Sequence, residues 1–198
     1  MVCVLRGEEC SRRAQQFDGA DSRRGASRNH PQHHPAEEVP LVALIIATGS
    51  NLGDRHARLA EAKARIAQEW PLIAESRVYQ SAAVDYAAQP DFSNQVLQLA
   101  LPWQRPEVVM EMLLEIERSM GRTRDVPRGP RTIDIDILFW GLDRVTSPGL
   151  IVPHPRWRER SFVVRPLAEL PFFHAIQKCF TIPSTFDIEA IAQPKESA

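Results

Sequence analysis

The chain has 198 residues, 43% of them hydrophobic and 25% charged, which suits one compact domain with a tail better than two full domains. A net charge of −1 lacks the basic excess of a general nucleic-acid binder, and no apolar run reaches membrane-spanning length. The three cysteines, Cys3, Cys10 and Cys179, show neither CxxC spacing nor an even disulfide framework, so they read as free thiols in a reducing, cytoplasmic compartment.

Residues 1–40 are rich in Arg, Glu, Asp, Gln, Ser, Gly and His and are expected to form a disordered extension. Six arginines there balance six acidic residues, which argues against an organelle-targeting peptide, and the opening MVCVLR is too short for a signal-peptide core. His30, His33 and His34 lie in this flexible stretch without supporting partners and are not expected to form a metal site.

Leu41 to Thr48, LVALIIAT, is a nearly unbroken apolar run that predicts a strand buried on both faces. A turn through Gly49, Ser50, Asn51 and Gly53 follows, and Asp54 caps a helix with Leu59, Ala62 and Ile66 at helical spacing, ended by Trp70 and Pro71. Strands are predicted over Ile73 to Tyr79 and Ser93 to Leu101, with a loop from Gln80 to Asp91 between them. Pro106 starts a second helix whose apolar stripe is Val109, Met112, Leu113, Ile116 and Met120, and Gly121 stops it. Another strand follows, so the order is strand, helix, strand, strand, helix, strand. That order predicts an α+β fold, a ferredoxin-like sandwich with a mainly antiparallel sheet, helices on one face and additional C-terminal elements. Arg156 to Arg165 is expected to return over the active face as a short helix or loop.

The last core strand lies in GPRTIDIDIL, Gly129 to Leu138. Strict alternation directs Ile133, Ile135 and Ile137 one way and Asp134 and Asp136 the other, with the two aspartates roughly 7 Å apart at the backbone. Two parallel carboxylates repel unless a cation neutralises them, and hard oxygen donors favour magnesium or manganese. The plain alternative is an ordinary half-exposed strand, polar side outward. Arg118, Arg122, Arg124, Arg128 and Arg131 crowd the approach to the strand. Guanidinium forks beside a carboxylate-held cation suit a polyphosphate, whereas a solvated loop with weak surface ion pairs would need no ligand.

The stretch GRTRDVPRGPRTIDIDILFWG, Gly121 to Gly141, resembles the signature of the 6-hydroxymethyl-7,8-dihydropterin pyrophosphokinases of folate biosynthesis. GSNLGD from Gly49, QPDFSN from Gln89 and VPHP from Val152 occur in the order and with the spacing familiar in that family, and the likeness covers about Leu41 to Leu170. It implies transfer of pyrophosphate from ATP to the pterin alcohol, with AMP leaving and two magnesium ions on Asp134 and Asp136. Arg122 and Arg131 join the two aspartates as implied catalytic residues. Ser81, Val84, Phe92, Asn94 and Phe162 are the implied pterin contacts, the two phenylalanines stacking on the bicyclic ring. Glu117, Arg124, Arg128, Arg131, Ile137, His154 and Arg160 are the implied ATP contacts. From its residues alone, Glu117 reads equally as part of a solvated helix face, and Phe92 and Phe162 as core.

Ser81 and Ala82 stand where the family commonly has threonine and proline, and Pro127 and Arg128 where it often has arginine and an aromatic. The domain is expected to span 41–170, with 171–198 a segment of uncertain structure, in a protein working as a monomer. An inactive pterin- or nucleotide-binding paralogue is the alternative. A ferredoxin-like RNA-binding domain would carry an RNP-type aromatic segment and a basic face, and the sequence has neither.

Overall fold

A computed structural model describes residues 42–84, 89–122 and 129–194. The expected extension over 1–40, with Cys3, Cys10 and the three N-terminal histidines, lies outside the described residues, as do Arg124 and Arg128.

The fold begins with β1 (Ala43–Ser50), whose residues are buried on both faces as its unbroken apolar run predicts. Asp54 then accepts a hydrogen bond from the Ala57 N–H at 3.0 Å and caps α1 (Arg55–Glu69), which buries Leu59, Ala62 and Ile66. The strand expected over Ile73 to Tyr79 is two short pieces, β2 (Leu72–Glu75) and β3 (Tyr79–Ser81), both paired with β4 (Phe92–Ala100). A contact with β4 makes the break: the Ser76 hydroxyl accepts the Val96 N–H at 3.0 Å, so a side chain replaces a rung of the ladder. Gln80 and Ser81 consequently belong to a strand, not to the loop expected there. Pro106 opens α2 (Pro106–Ser119), and Gly121, at φ +80, turns the chain out of it.

The chain then enters β5 (Asp134–Trp140), followed by a hairpin of β6 (Val145–Ser147) and β7 (Leu150–Val152). A single 3-10 turn at Trp157–Glu159 leads to α3 (Ser161–Leu167) and α4 (Phe173–Cys179), and β8 (Ile191–Ala192) ends the described chain. The main sheet runs β5-β1-β4-β3-β8, with β2 also on β4, and its pairings are antiparallel. With β1 and β4 both inside the sheet, this is the ferredoxin-like arrangement.

One face of the sheet is covered as expected. Leu44 and Ile46 of β1 and Ile133, Ile135 and Ile137 pack against Leu59 and Ile66 of α1 and Val109 and Leu113 of α2. Each such side chain stabilises the fold by roughly 1.5–3 kcal/mol through burial. The other face carries the additional C-terminal elements, with the expected return of Arg156 to Arg165 formed by the 3-10 turn and the start of α3. Ala43, Ile45, Val96, Leu138 and Phe139 form a second core with Trp157, α3, Phe172 and Ile176 of α4. A register shift between Ile45 and Ile46 sets it up: Ile45 pairs with Phe139 and Ile46 with Ile137, so Leu138 is an extra residue, and both Leu138 and Phe139 join the second core. Residues 172–186 therefore contribute to a structural layer. The Phe172 N–H donates to the buried Gln98 Oε1 at 3.0 Å and ties that layer to β4.

Candidate active site

The second core covers only part of its face. Along the central strand the side chains on this side are Ala43, Ile45, Ala47 and Gly49, ending small. Asp136 of β5 lies opposite Ala47, and Asp134 opposite Gly49. Gly49 also pairs with Asn94 of β4, and a Cβ on it would stand 3.1 Å from Asn94 Oδ1. Small residues on β1 thus leave a cavity of about 350 Å³, with acidic β5 on one side and Asn94 on the other.

Ten of the residues expected from sequence line this cavity: Ser81, Val84, Phe92, Asn94 and Phe162, together with Arg131, Asp134, Asp136, His154 and Arg160. Asn94 Nδ2 donates to Ser81 Oγ at 3.1 Å and to the Tyr79 carbonyl at 3.4 Å, which fixes the amide. The Arg131 guanidinium lies 5.1 Å from the centre of the Phe92 ring, and that of Arg160 lies 5.7 Å from the centre of Phe162. Arg131 NH1 is 3.4 Å from Asp134 Oδ2, while its buried Nε has no acceptor among the described residues.

Other expected residues stand outside the lining. Arg122 NH1 pairs with Asp134 Oδ1 at 2.6 Å and with Glu117 behind it. Glu117 is 2% exposed, so the solvated-face alternative fails; its Oε1 also accepts the Ile135 N–H at 2.7 Å. Burial pushes the Glu117 carboxyl up to about 7, against the pull of Arg122. Ile137 directs its side chain into the helix-side core, leaving only its main chain for a ligand.

Electrostatics set the states of two pocket residues. Burial, reinforced by Asp134, raises Asp136 to about 6. Burial and the nearby Arg160 and Arg156 lower His154 to about 4, so its imidazole is neutral at pH 7. His154 Nδ1 accepts the Arg156 N–H at 3.2 Å, which leaves Nε2–H as the donor.

Sequence reasoning overlooked Asn51. Its Oδ1 accepts the Arg131 N–H at 2.8 Å, and its Nδ2 donates to Gln89 Oε1 at 3.0 Å and the Pro90 carbonyl at 3.2 Å. One amide thereby joins the first turn, the 89–91 segment and the arginine loop. An asparagine among the turn glycines of GSNLGD was the available signal, and it reads as turn chemistry alone.

Two carboxylates on one strand face, one raised to about 6 by burial and its neighbour's charge, form a donor set that a hard divalent cation relieves. Among the described residues no group of three or more His, Cys, Asp and Glu assembles a metal cage, so remaining positions on such an ion would fall to substrate oxygens and water. Among the same residues no helix is long and apolar enough to cross a membrane.

Comparison with known proteins agrees with this geometry. A sequence model of the family described as 7,8-dihydro-6-hydroxymethylpterin-pyrophosphokinase matches residues 45–171. The 2-amino-4-hydroxy-6-hydroxymethyldihydropteridine pyrophosphokinase of Bacillus subtilis is 40% identical over 127 residues, which are 63% of this chain and 75% of that protein. The bifunctional protein FolKE of Lactococcus lactis is 38% identical over 66% of this chain and 38% of its own length. The mitochondrial folate synthesis bifunctional protein of Arabidopsis thaliana is 38% identical over 64% of this chain, but only 23% of its own length is matched. The chain therefore belongs to the 7,8-dihydro-6-hydroxymethylpterin-pyrophosphokinase family, transferases that move pyrophosphate in folate biosynthesis.

Proposed function

We propose that this pocket transfers pyrophosphate from ATP to 6-hydroxymethyl-7,8-dihydropterin, releasing AMP, with Asp134 and Asp136 holding two magnesium ions. The observation that carries the assignment of roles is the meeting, in one cavity, of a carboxylate pair, Arg131, Arg160 and neutral His154 with an amide flanked by Phe92. Bound at the aspartates, magnesium supplies charge neutralisation and polarisation of phosphoryl oxygens. The protein's own groups do the rest. Arg131, whose buried Nε lacks an acceptor among the described residues, and Arg160 hold phosphate oxygens, and His154 donates its Nε2–H to another. Arg122 shares Asp134 with the cation site and steadies charge as the bond order shifts.

Asn94 and Ser81 read the hydrogen-bonding edge of the pterin, Phe92 and Phe162 stack on its faces, and Val84 closes the wall. The hydroxymethyl oxygen then attacks the β-phosphorus in line; its bond to phosphorus forms as the α,β-bridging bond breaks, its hydroxyl proton passes to solvent, and AMP carries away the bridging oxygen. The rate enhancement comes from positioning and electrostatics. Glu117 acts on the nucleotide through Arg122, and Ile137 through its main chain; Arg124 and Arg128 complete the phosphate contacts. The scattered cysteines support a reducing, cytoplasmic compartment, and the family resemblance supports a monomer.

The test is chromatography of nucleotides after incubation with ATP, magnesium and 6-hydroxymethyl-7,8-dihydropterin. Pterin-dependent AMP is expected. ADP would make the reaction an ordinary phosphoryl transfer, and no turnover by folded protein would favour the inactive paralogue.

A further inference from the structure

Glu169 stands outside the pocket, two residues beyond the end of α3, yet its carboxylate gathers four donors from the opposite strand edge. The Arg77 N–H donates to Oε2 at 2.8 Å, Arg77 Nε and NH2 reach Oε1 at 2.8 and 2.6 Å, and the Tyr79 hydroxyl donates to Oε1 at 2.6 Å. The side chain is only 24% exposed, and the pairs to Arg77 and Tyr79 span about ninety residues of sequence.

These donors sit at the break between β2 and β3. β3 has three residues, and two of them hold Asn94: the Tyr79 carbonyl and the Ser81 hydroxyl both accept from its Nδ2. At the other end of the clamp, α3 opens with Ser161 and Phe162, and Phe162 lines the same cavity as Asn94 and Ser81. One carboxylate therefore joins the strand that presents the amide to the helix that presents the ring.

We propose that Glu169 is a positioning residue for pterin recognition, fixing the spacing between the Asn94–Ser81 edge and the Phe162 ring. This rests on those three residues being the pterin contacts. A flat ring stacked on one wall and hydrogen-bonded to the other tolerates little change in the separation of the walls. On the phosphate side Asp134 and Asp136 lie on β5 and Arg131 and His154 lie outside α3, while Arg160, the N-cap of α3, is among the described residues the one phosphate-side group next to the clamped helix.

The experiment is steady-state kinetics, with both substrates varied, on the full chain and on Glu169→Ala, Glu169→Gln and Tyr79→Phe. Glu169→Ala should raise the pterin KM roughly tenfold while the ATP KM and kcat stay within about twofold, the loss expected for charge-assisted hydrogen bonds that act on one substrate only. Glu169→Gln, which keeps an acceptor for the Tyr79 hydroxyl, should recover part of the loss. Tyr79→Phe removes a single hydroxyl and keeps the ring, so it remains informative if Glu169→Ala does not fold; its pterin KM should rise about threefold. An unchanged pterin KM in the variants that fold overturns the assignment, as does a parallel rise in the ATP KM or a fall in kcat alone, the mark of lost active protein. Wild-type chain without pterin-dependent AMP would instead bring down the activity on which the assignment rests.

Discussion

Ile135 and Asp136 are adjacent on β5 and face opposite ways. The first is 1% exposed among the side chains of α1 and α2, and the second lines an open pocket. The difference comes from what covers each face. Two amphipathic helices present stripes long enough to fill the Ile133, Ile135 and Ile137 side, while on the other side the C-terminal layer packs on Leu138 and Phe139 and reaches no further. Beyond that point β1 offers only Ala47 and Gly49, and the aspartates stand where packing stops. A site of this kind is the unfilled half of a sheet face, with polar groups placed where apolar ones would otherwise close it.

The strongest way to break the contrast is Asp136→Ala. Turnover should fall by about a thousandfold or more if the carboxylate holds the metal, while circular dichroism and the metal-free melting temperature hold or improve. The sign follows from the raised value near 6: the folded state binds that proton more tightly than the unfolded chain, so the ionised Asp136 opposes folding at neutral pH, and removing it costs the fold nothing. Ile135→Ala, one residue earlier, should do the reverse. It should destabilise by about 2–5 kcal/mol in a denaturant titration and leave the kcat of the folded fraction near wild type.

Asn51→Ala should fall between the two, because its side chain serves both fold and site. Losing its three hydrogen bonds should cost about 1–3 kcal/mol and lower kcat/KM roughly tenfold, as the loop of Arg131 loses its anchor. The smallest effect concerns His154. Its value near 4 lies below that of an unfolded histidine, so the stability linked to it is present above about pH 6.5 and is lost as pH falls toward 4. An NMR titration of its imidazole should show the neutral ring persisting through pH 5, and His154→Gln should flatten the acid limb of the stability curve.

The helix-side face and both aspartates were legible because each follows a single local period: two for β5, and 3.6 for α1 and α2. Capping by Asp54 and the stop at Gly121 were legible for the same reason, since each needs only its neighbours. What escaped depends on partners distant in sequence. Glu117 lies off its apolar stripe and is buried because Arg122 and the Ile135 N–H meet it there. The break at Ser76 depends on β4, and the second core depends on Phe172, in the turn before α4, and on Ile176, in a helix too short to show a period. The pocket contacts of Asn94, Phe92 and Phe162 came from resemblance to a family, for a buried amide and two phenylalanines carry no local sign of a ligand.

If the open face of β5 is a cation platform, manganese should bind there in the presence of a non-hydrolysable ATP analogue. Manganese can be followed by its paramagnetic resonance signal in the wild-type chain and in Asp136→Asn, a near-isosteric change that removes the charge. Manganese should bind the wild type and bind Asp136→Asn at least about a hundredfold more weakly with the fold intact. Equal manganese affinity in the two proteins would contradict the cation platform.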